Sequence, residues 1–256
     1  MKQKNIFLII IFIVLIYSCD YYGSRKKPVN KQGEEWIINE DGDSVLNRYK
    51  KDGSLLSFTT YKDRLKNGLA VKYYKNGKVQ FKIMYKDSYK DGEVIWYYDN
   101  GNIYRISNYV RGKIEGVQKK YYESGNLMAE IPYQNGEVQI GLKEYTKDGK
   151  LKKIYPTIKY ELIDKLAFEN KYILRLYLSN KSKAVKYYKY YKFPEQNTSW
   201  KEKIKSKDGV GNLVYNIYKG DYIMKKEVIR AEYKTSLGNI YVIEKTINVA
   251  ADNKRF

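Results

Sequence analysis

The sequence predicts a mainly β protein: an antiparallel β-meander of hairpin repeats followed by a C-terminal β-sandwich, immunoglobulin-like in type. Three observations carry this. Glycine and tyrosine return every 24 residues between Val45 and Tyr160. Beyond Pro156 the interval stops and about seven short alternating runs follow. The single cysteine excludes an internal disulfide, so stability must come from sheet burial.

The repeat is read from four position classes. Gly53, Gly77, Gly101, Gly125 and Gly149 each follow a turn-prone residue, namely Asp52, Asn76, Asn100, Ser124 and Asp148. Tyr49, Tyr73, Tyr97, Tyr121 and Tyr145 precede the glycines by four positions, and Tyr61, Tyr85, Tyr109 and Tyr133 follow by eight. Leu55, Val79, Ile103, Leu127 and Leu151 lie two places past each glycine. Asn-Gly and Asp-Gly predict turns with two residues at positive φ, which reverse the chain with a twist suited to antiparallel strands. In the second copy Leu69, Val71 and Tyr73 enter the turn and Val79, Phe81, Ile83 and Tyr85 leave it, with the copies expected to share an apolar face. A lone hairpin is marginal, so the copies must pair edge to edge. The outward surface of such an array presents Tyr74, Trp96, Tyr98 and Tyr122 as candidate binding residues.

The runs Gly68–Gly77, Gly92–Gly101 and Gly116–Gly125 resemble the bacterial variant of the MORN repeat, and the chain looks like those labelled YwqK-type antitoxin-like proteins. The likeness covers residues 45–155. It implies a hairpin-array fold and a partner held against the sheet, with an antitoxin or immunity role as the alternative to a general binding role. The last copy departs from the pattern at Gly141 and Thr146, and the first lacks the leading glycine, as array ends do.

Taken from the start, Lys2 and Lys4 precede an apolar run from Ile6 to Tyr17, which reads as a secretory signal over residues 1–18. Ile16-Tyr17-Ser18-Cys19 resembles a lipobox and predicts Cys19 as a lipidated residue anchoring the chain in a membrane of the bacterial cell envelope. Residues 19–44 are polar and irregular and are expected to form a tether, with Arg25-Lys26-Lys27 suited to anionic headgroups. Glu40-Asp41-Gly42-Asp43 lacks the ligand series of a calcium loop and is expected to be a hairpin turn.

Residues 156–256 form the second domain, with strands expected at Thr157–Ile163, Tyr172–Leu178, Ala184–Phe193, Trp200–Ile204, Asn212–Tyr218, Tyr222–Tyr233 and Asn239–Val249. The chain carries 49 Lys plus Arg against 29 Asp plus Glu, and residues 151–256 hold 23 basic and 11 acidic side chains. That field favours polyanions such as anionic lipids, acidic glycans or acidic proteins. Lys186, Tyr188, Tyr190 and Lys192 are the candidate anionic-surface residues, because they interleave rings and cations as single-strand binders do. The export signal argues against nucleic acid. In a plain strand reading, Val185, Tyr187, Tyr191 and Phe193 face the core and the other four face out.

With no histidine, the usual general base, the Ser-His pair and the commonest metal ligand are missing. The only cysteine is assigned to the lipid. No catalytic residue, metal or cofactor is therefore expected. The sequence reads as a non-enzymatic, membrane-anchored lipoprotein whose repeat sheet binds a protein or anionic envelope ligand.

Overall fold

The computed structural model describes residues 33–196 and 198–254, so the expected signal segment, Cys19 and most of the expected tether lie outside the described residues. The first part is one antiparallel sheet of twelve strands laid down almost wholly in chain order. Its long strands are β1 (Glu34–Ile38), β2 (Ser44–Tyr49), β3 (Leu55–Lys62), β4 (Leu65–Tyr73), β5 (Val79–Lys86), β6 (Tyr89–Tyr97), β7 (Ile103–Val110), β9 (Gly116–Tyr121) and β10 (Leu127–Gln134). Three two-residue strands complete it: β8 (Lys113–Ile114), β11 (Glu137–Val138) and β12 (Lys143–Glu144). β1 falls within the stretch expected to be a tether. It pairs with β2 from Glu34↔Arg48 to Ile38↔Ser44, closed by a hairpin turn in which Gly42 N–H donates to Asn39 O.

The meander alternates two kinds of reversal. At each repeat glycine the chain makes a three-residue loop, shown by Gly77 N–H to Tyr74 O (3.2 Å) and Tyr74 N–H to Lys78 O (2.8 Å), and repeated at Gly53, Gly101, Gly125 and Gly149. Only the glycine has positive φ there, +81° at Gly77, so the expectation of two such residues is corrected. This is a type I turn closed by a left-handed residue and a bulge. The residue before the glycine acts through its side chain instead. The Oδ1 atoms of Asp52, Asn76 and Asn100 each accept the amide two residues on, at 2.8–3.0 Å. The turns with two positive-φ residues lie at the opposite ends of the hairpins, at Asp63-Arg64, Asp87-Ser88, Arg111-Gly112 and Asn135-Gly136.

Strand pairing fixes which side chains share a face. Ala70 lies opposite Ile83 and Val71 opposite Lys82, so Phe81, Ile83 and Tyr85 occupy the face opposite to Val71 rather than sharing its face. One face carries the row Leu46, Thr59, Ala70, Ile83, Val94, Ser107, Gln118 and Ile131. Within it the Gln118 amide donates to the Ser107 hydroxyl at 2.8 Å, which satisfies two buried polar groups.

The second part is a sandwich of two four-stranded sheets. It comprises β13 (Ile158–Lys165), the short helix α1 (Leu166–Glu169), β14 (Lys171–Leu178), β15 (Val185–Phe193), β16 (Thr198–Ile204), β17 (Ser206–Lys207), β18 (Val210–Asn216), β19 (Tyr222–Lys234) and β20 (Ile240–Asp252). All seven expected strands form; β17 and α1 are additions. The sheet orders β13-β14-β18-β17 and β16-β15-β19-β20 correspond to ABED and C′CFG, an immunoglobulin-type arrangement. Between the sheets lies a core that includes Leu174, Leu176, Leu178, Tyr187, Ile229, Ile247 and Val249. The Tyr187 hydroxyl donates to Gly209 O at 3.1 Å, and burial pushes that phenol up to about 12.

Gly209 closes the β17–β18 hairpin at φ +80°, where an added Cβ would stand 2.4 Å from Ser182 O; at Gly77, with φ +81°, it would meet nothing within 4 Å. Alanine at either site incurs left-handed strain of about 1–2 kcal/mol, but only Gly209→Ala adds a backbone collision. Thermal unfolding should therefore place the midpoint of Gly209→Ala below that of Gly77→Ala by about 5 °C or more.

Candidate functional site

The second tyrosines of the Tyr-Tyr pairs hold the array together. The hydroxyl of Tyr74 donates to Tyr97 O at 2.6 Å, that of Tyr98 to Tyr121 O at 2.8 Å and that of Tyr122 to Tyr145 O at 2.7 Å. Each bond runs to the next copy, 23 residues on. In the first copy Lys50 occupies the position, and its ammonium donates to Tyr74 O at 3.0 Å. Asn76 and Lys78 add bonds to the carbonyls of Asp99 and Asn100. Tyr74, Tyr98 and Tyr122 are half-buried and their hydroxyls are engaged, so the structure places these three candidate residues in a clasp along the glycine-turn edge. Burial raises the pKa of Tyr98 and Tyr122 above the usual phenol range.

Trp96 lies elsewhere. It belongs to a row on the Ile83 face, in which pairing aligns Lys72, Phe81, Trp96, Arg105 and Lys120 across five strands. Phe81 and Trp96 stack at 5.7 Å, the Arg105 guanidinium lies 4.6 Å from the Trp96 ring centre, and Lys72 sits 5.7 Å from that of Phe81. A parallel row holds Tyr61, Tyr85, Tyr109 and Tyr133, with Lys66 over Tyr85 at 5.3 Å and Lys90 over Tyr109 at 5.1 Å. From β3 to β10 the paired residues of this face include the cations Lys66, Lys72, Lys90, Arg105 and Lys120 and no Asp or Glu. Stacking a cation on a ring is favourable while leaving its charge uncompensated. The sequence reading missed this surface because the cations fall at three repeat positions, Lys66 and Lys90 at one, Lys72 and Lys120 at another and Arg105 at a third, and only strand register brings these positions to one face.

The sandwich rests on the C-terminal end of the same face. Ala129, Ile131 and Leu142 are buried there with Tyr133, Val138, Tyr155 and Tyr241, and the last two rings stack at 4.2 Å. Glu144, fully buried, accepts hydrogen bonds from the Thr235 hydroxyl (2.5 Å), the Asn239 amide (2.8 Å) and the Lys152 ammonium (3.2 Å). The Tyr155 phenol, 3.4 Å from the same carboxylate, is pushed up to about 12 by burial and then by the Glu144 charge.

This seam accounts for the other candidate cluster. On β15, Tyr190 was expected to face solvent but is only 8% exposed, with the Arg230 guanidinium 4.9 Å from its ring centre. Arg230 in turn donates to Val138 O of the repeat sheet. Tyr188 is half-buried beneath Lys201, whose ammonium bonds Glu137 at 2.6 Å and Glu232 at 2.9 Å. Lys192 pairs with Glu244 at 2.8 Å, and Lys186 is exposed. Tyr188 and Tyr190 therefore lie at the junction under cations already matched by carboxylates, Lys192 is ion-paired but exposed, and Lys186 is exposed. Tyr191 and Phe193, expected in the core, are 38% and 45% exposed because β15 runs past its edge; Tyr191 stacks on Trp200 at 5.1 Å.

The fold is thus a repeat sheet capped by an immunoglobulin-type sandwich. Three consecutive copies, residues 66–87, 90–111 and 114–135, match the family model described as MORN repeat variant, about a quarter of the chain. Each matched segment ends at a two-residue turn and holds one glycine-turn hairpin, the unit inferred from the period. A comparison with curated proteins gives no match.

Two outcomes follow from this geometry. Tyr74→Phe, Tyr98→Phe and Tyr122→Phe should each lower stability in chemical denaturation by about 1 kcal/mol, the net worth of a hydroxyl–carbonyl bond. Glu144→Ala leaves Lys152 and two buried polar groups without their acceptor and should cost about 3 kcal/mol, with calorimetry resolving separate transitions for sheet and sandwich.

Proposed function

We propose that this protein is a non-enzymatic binding lipoprotein of the bacterial cell envelope, held to the membrane through acylated Cys19, with its repeat sheet offered to an anionic partner. The anchor rests on the lipobox-like sequence before Cys19. The binding role rests on one observation: five cations share the Ile83 face with a continuous set of aromatic rings, and no carboxylate is interspersed among them. Stacked cations leave their charge available to a ligand, and the strand-to-strand spacing of about 4.8 Å repeats the arrangement along a line. An extended acidic ligand, protein or glycan, fits such a line better than a compact one.

Retention of the full chain on a sulfated-polysaccharide column tests the binding role. Lys66→Glu, Lys72→Glu and Lys90→Glu together should lower the eluting salt concentration markedly, whereas reversing the exposed sandwich residues Lys183, Lys203 and Lys226 should lower it less. An equal loss from both triplets would reduce the attraction to net charge and remove the case for this face. Metabolic labelling with a palmitate analogue should mark the wild type and not Cys19→Ala; equal labelling would refute the anchor.

A further inference from the structure

Two of the five cations, Arg105 and Lys120, are direct neighbours in the row. Arg105 lies across from Trp96 on one side and Lys120 on the other. Its guanidinium is packed over the Trp96 ring and stands 5.9 Å from the Tyr104 ring centre, and its Nε is buried with no hydrogen-bond partner among the described residues. Lys120 donates to the neutral Asn239 Oδ1 at 2.7 Å. Its pKa is held below the usual lysine range by desolvation first and by the Arg105 charge second. The carboxylate closest in the row, Glu144, is already committed to Thr235, Asn239 and Lys152.

Adjacent like charges half-withdrawn from water are costly unless something completes them. A guanidinium stacked on a ring keeps its in-plane N–H edge free, and that edge matches the two oxygens of a carboxylate or phosphate. We infer that Arg105 and Lys120 form an oxyanion-binding site, seating one carboxylate or phosphate group of the ligand where the repeat sheet meets the sandwich. The site deepens the binding reading above and rests on it. With the anion held there, the remainder of an extended ligand runs over Trp96 and Phe81 towards Lys72, a span of about 19 Å at the spacing of β-strands.

Trp96 reports on the site. In the full chain carrying Trp36→Phe and Trp200→Phe it is the sole indole, and titration with inorganic phosphate should give a saturable change in its emission. Arg105→Gln should abolish the change, Lys120→Gln should weaken apparent affinity by about tenfold or more, and Lys186→Gln should leave it as it was. Arg105→Lys, which keeps the charge and loses the two-pronged edge, should retain a weakened response and guards against misfolding of the glutamine variant. A parallel acetate titration separates the sources: a response to both anions assigns a carboxylate-type group, and a response to phosphate alone assigns a phosphate. Absence of a saturable response to either anion, or an Arg105→Gln titration identical to wild type, overturns the site. Continued loss of column retention in the Lys66, Lys72 and Lys90 variant would then leave the broader binding reading standing.

Discussion

A meander with this many reversals must satisfy the polar backbone of each turn, and here neighbouring copies satisfy one another's. At the glycine-turn edge, tyrosine hydroxyls reach one copy ahead to the carbonyls of Tyr97, Tyr121 and Tyr145. At the other edge, the amides of Ser88, Gly112 and Gly136 donate back to the carbonyls of Lys66, Lys90 and Ile114 at 2.8–2.9 Å. The sheet is therefore stitched along both edges as well as through its ladders. A copy of different length would miss its acceptors on at least one edge, which is a physical reason for the constant interval of 24 residues.

That interval was legible without coordinates because glycine at positive φ is the strictest local demand in the chain, and the glycines mark its position in every copy. What was not legible followed from register. The three-residue loop sets Val71 against Lys82, an offset by which Phe81 changes face, and composition carries no trace of it. The turns at Asp63-Arg64 and Asp87-Ser88 lack glycine, so they gave no signal although both residues have positive φ. The tyrosines attracted a binding role because they are large, repeated and polar at one end. Those properties serve an internal hydroxyl-to-carbonyl bond equally well, and only the acceptor positions decide between the two.

In the sandwich the strands were readable from alternation, and the burial of Tyr190 was not. Its face of β15 is outer with respect to the sandwich core and would be solvated in an isolated domain. It is covered because the repeat sheet ends against it, bringing Val138 to Arg230 and Glu137 to Lys201. Domain-level contacts of this kind involve residues about 60 to 90 positions apart in sequence, beyond the reach of any local pattern.

The row that includes Trp96 shows how one repeat position can serve two ends. Arg48, Lys72, Trp96, Lys120 and Glu144 are equivalent in the 24-residue register. The first four are cationic or aromatic; the last is a carboxylate, and it is the group the sandwich grips through Thr235 and Asn239. A repeat array needs an end that stops further edge pairing, and the change of charge at Glu144 gives the sandwich its foothold on the final copy. Because glycines and clasp tyrosines specify the fold, side chains at this position are free to vary from copy to copy. Their sequence along the sheet, two cations, a ring, a cation and finally an acid, divides the face into a cationic and aromatic part and a part that holds the cap.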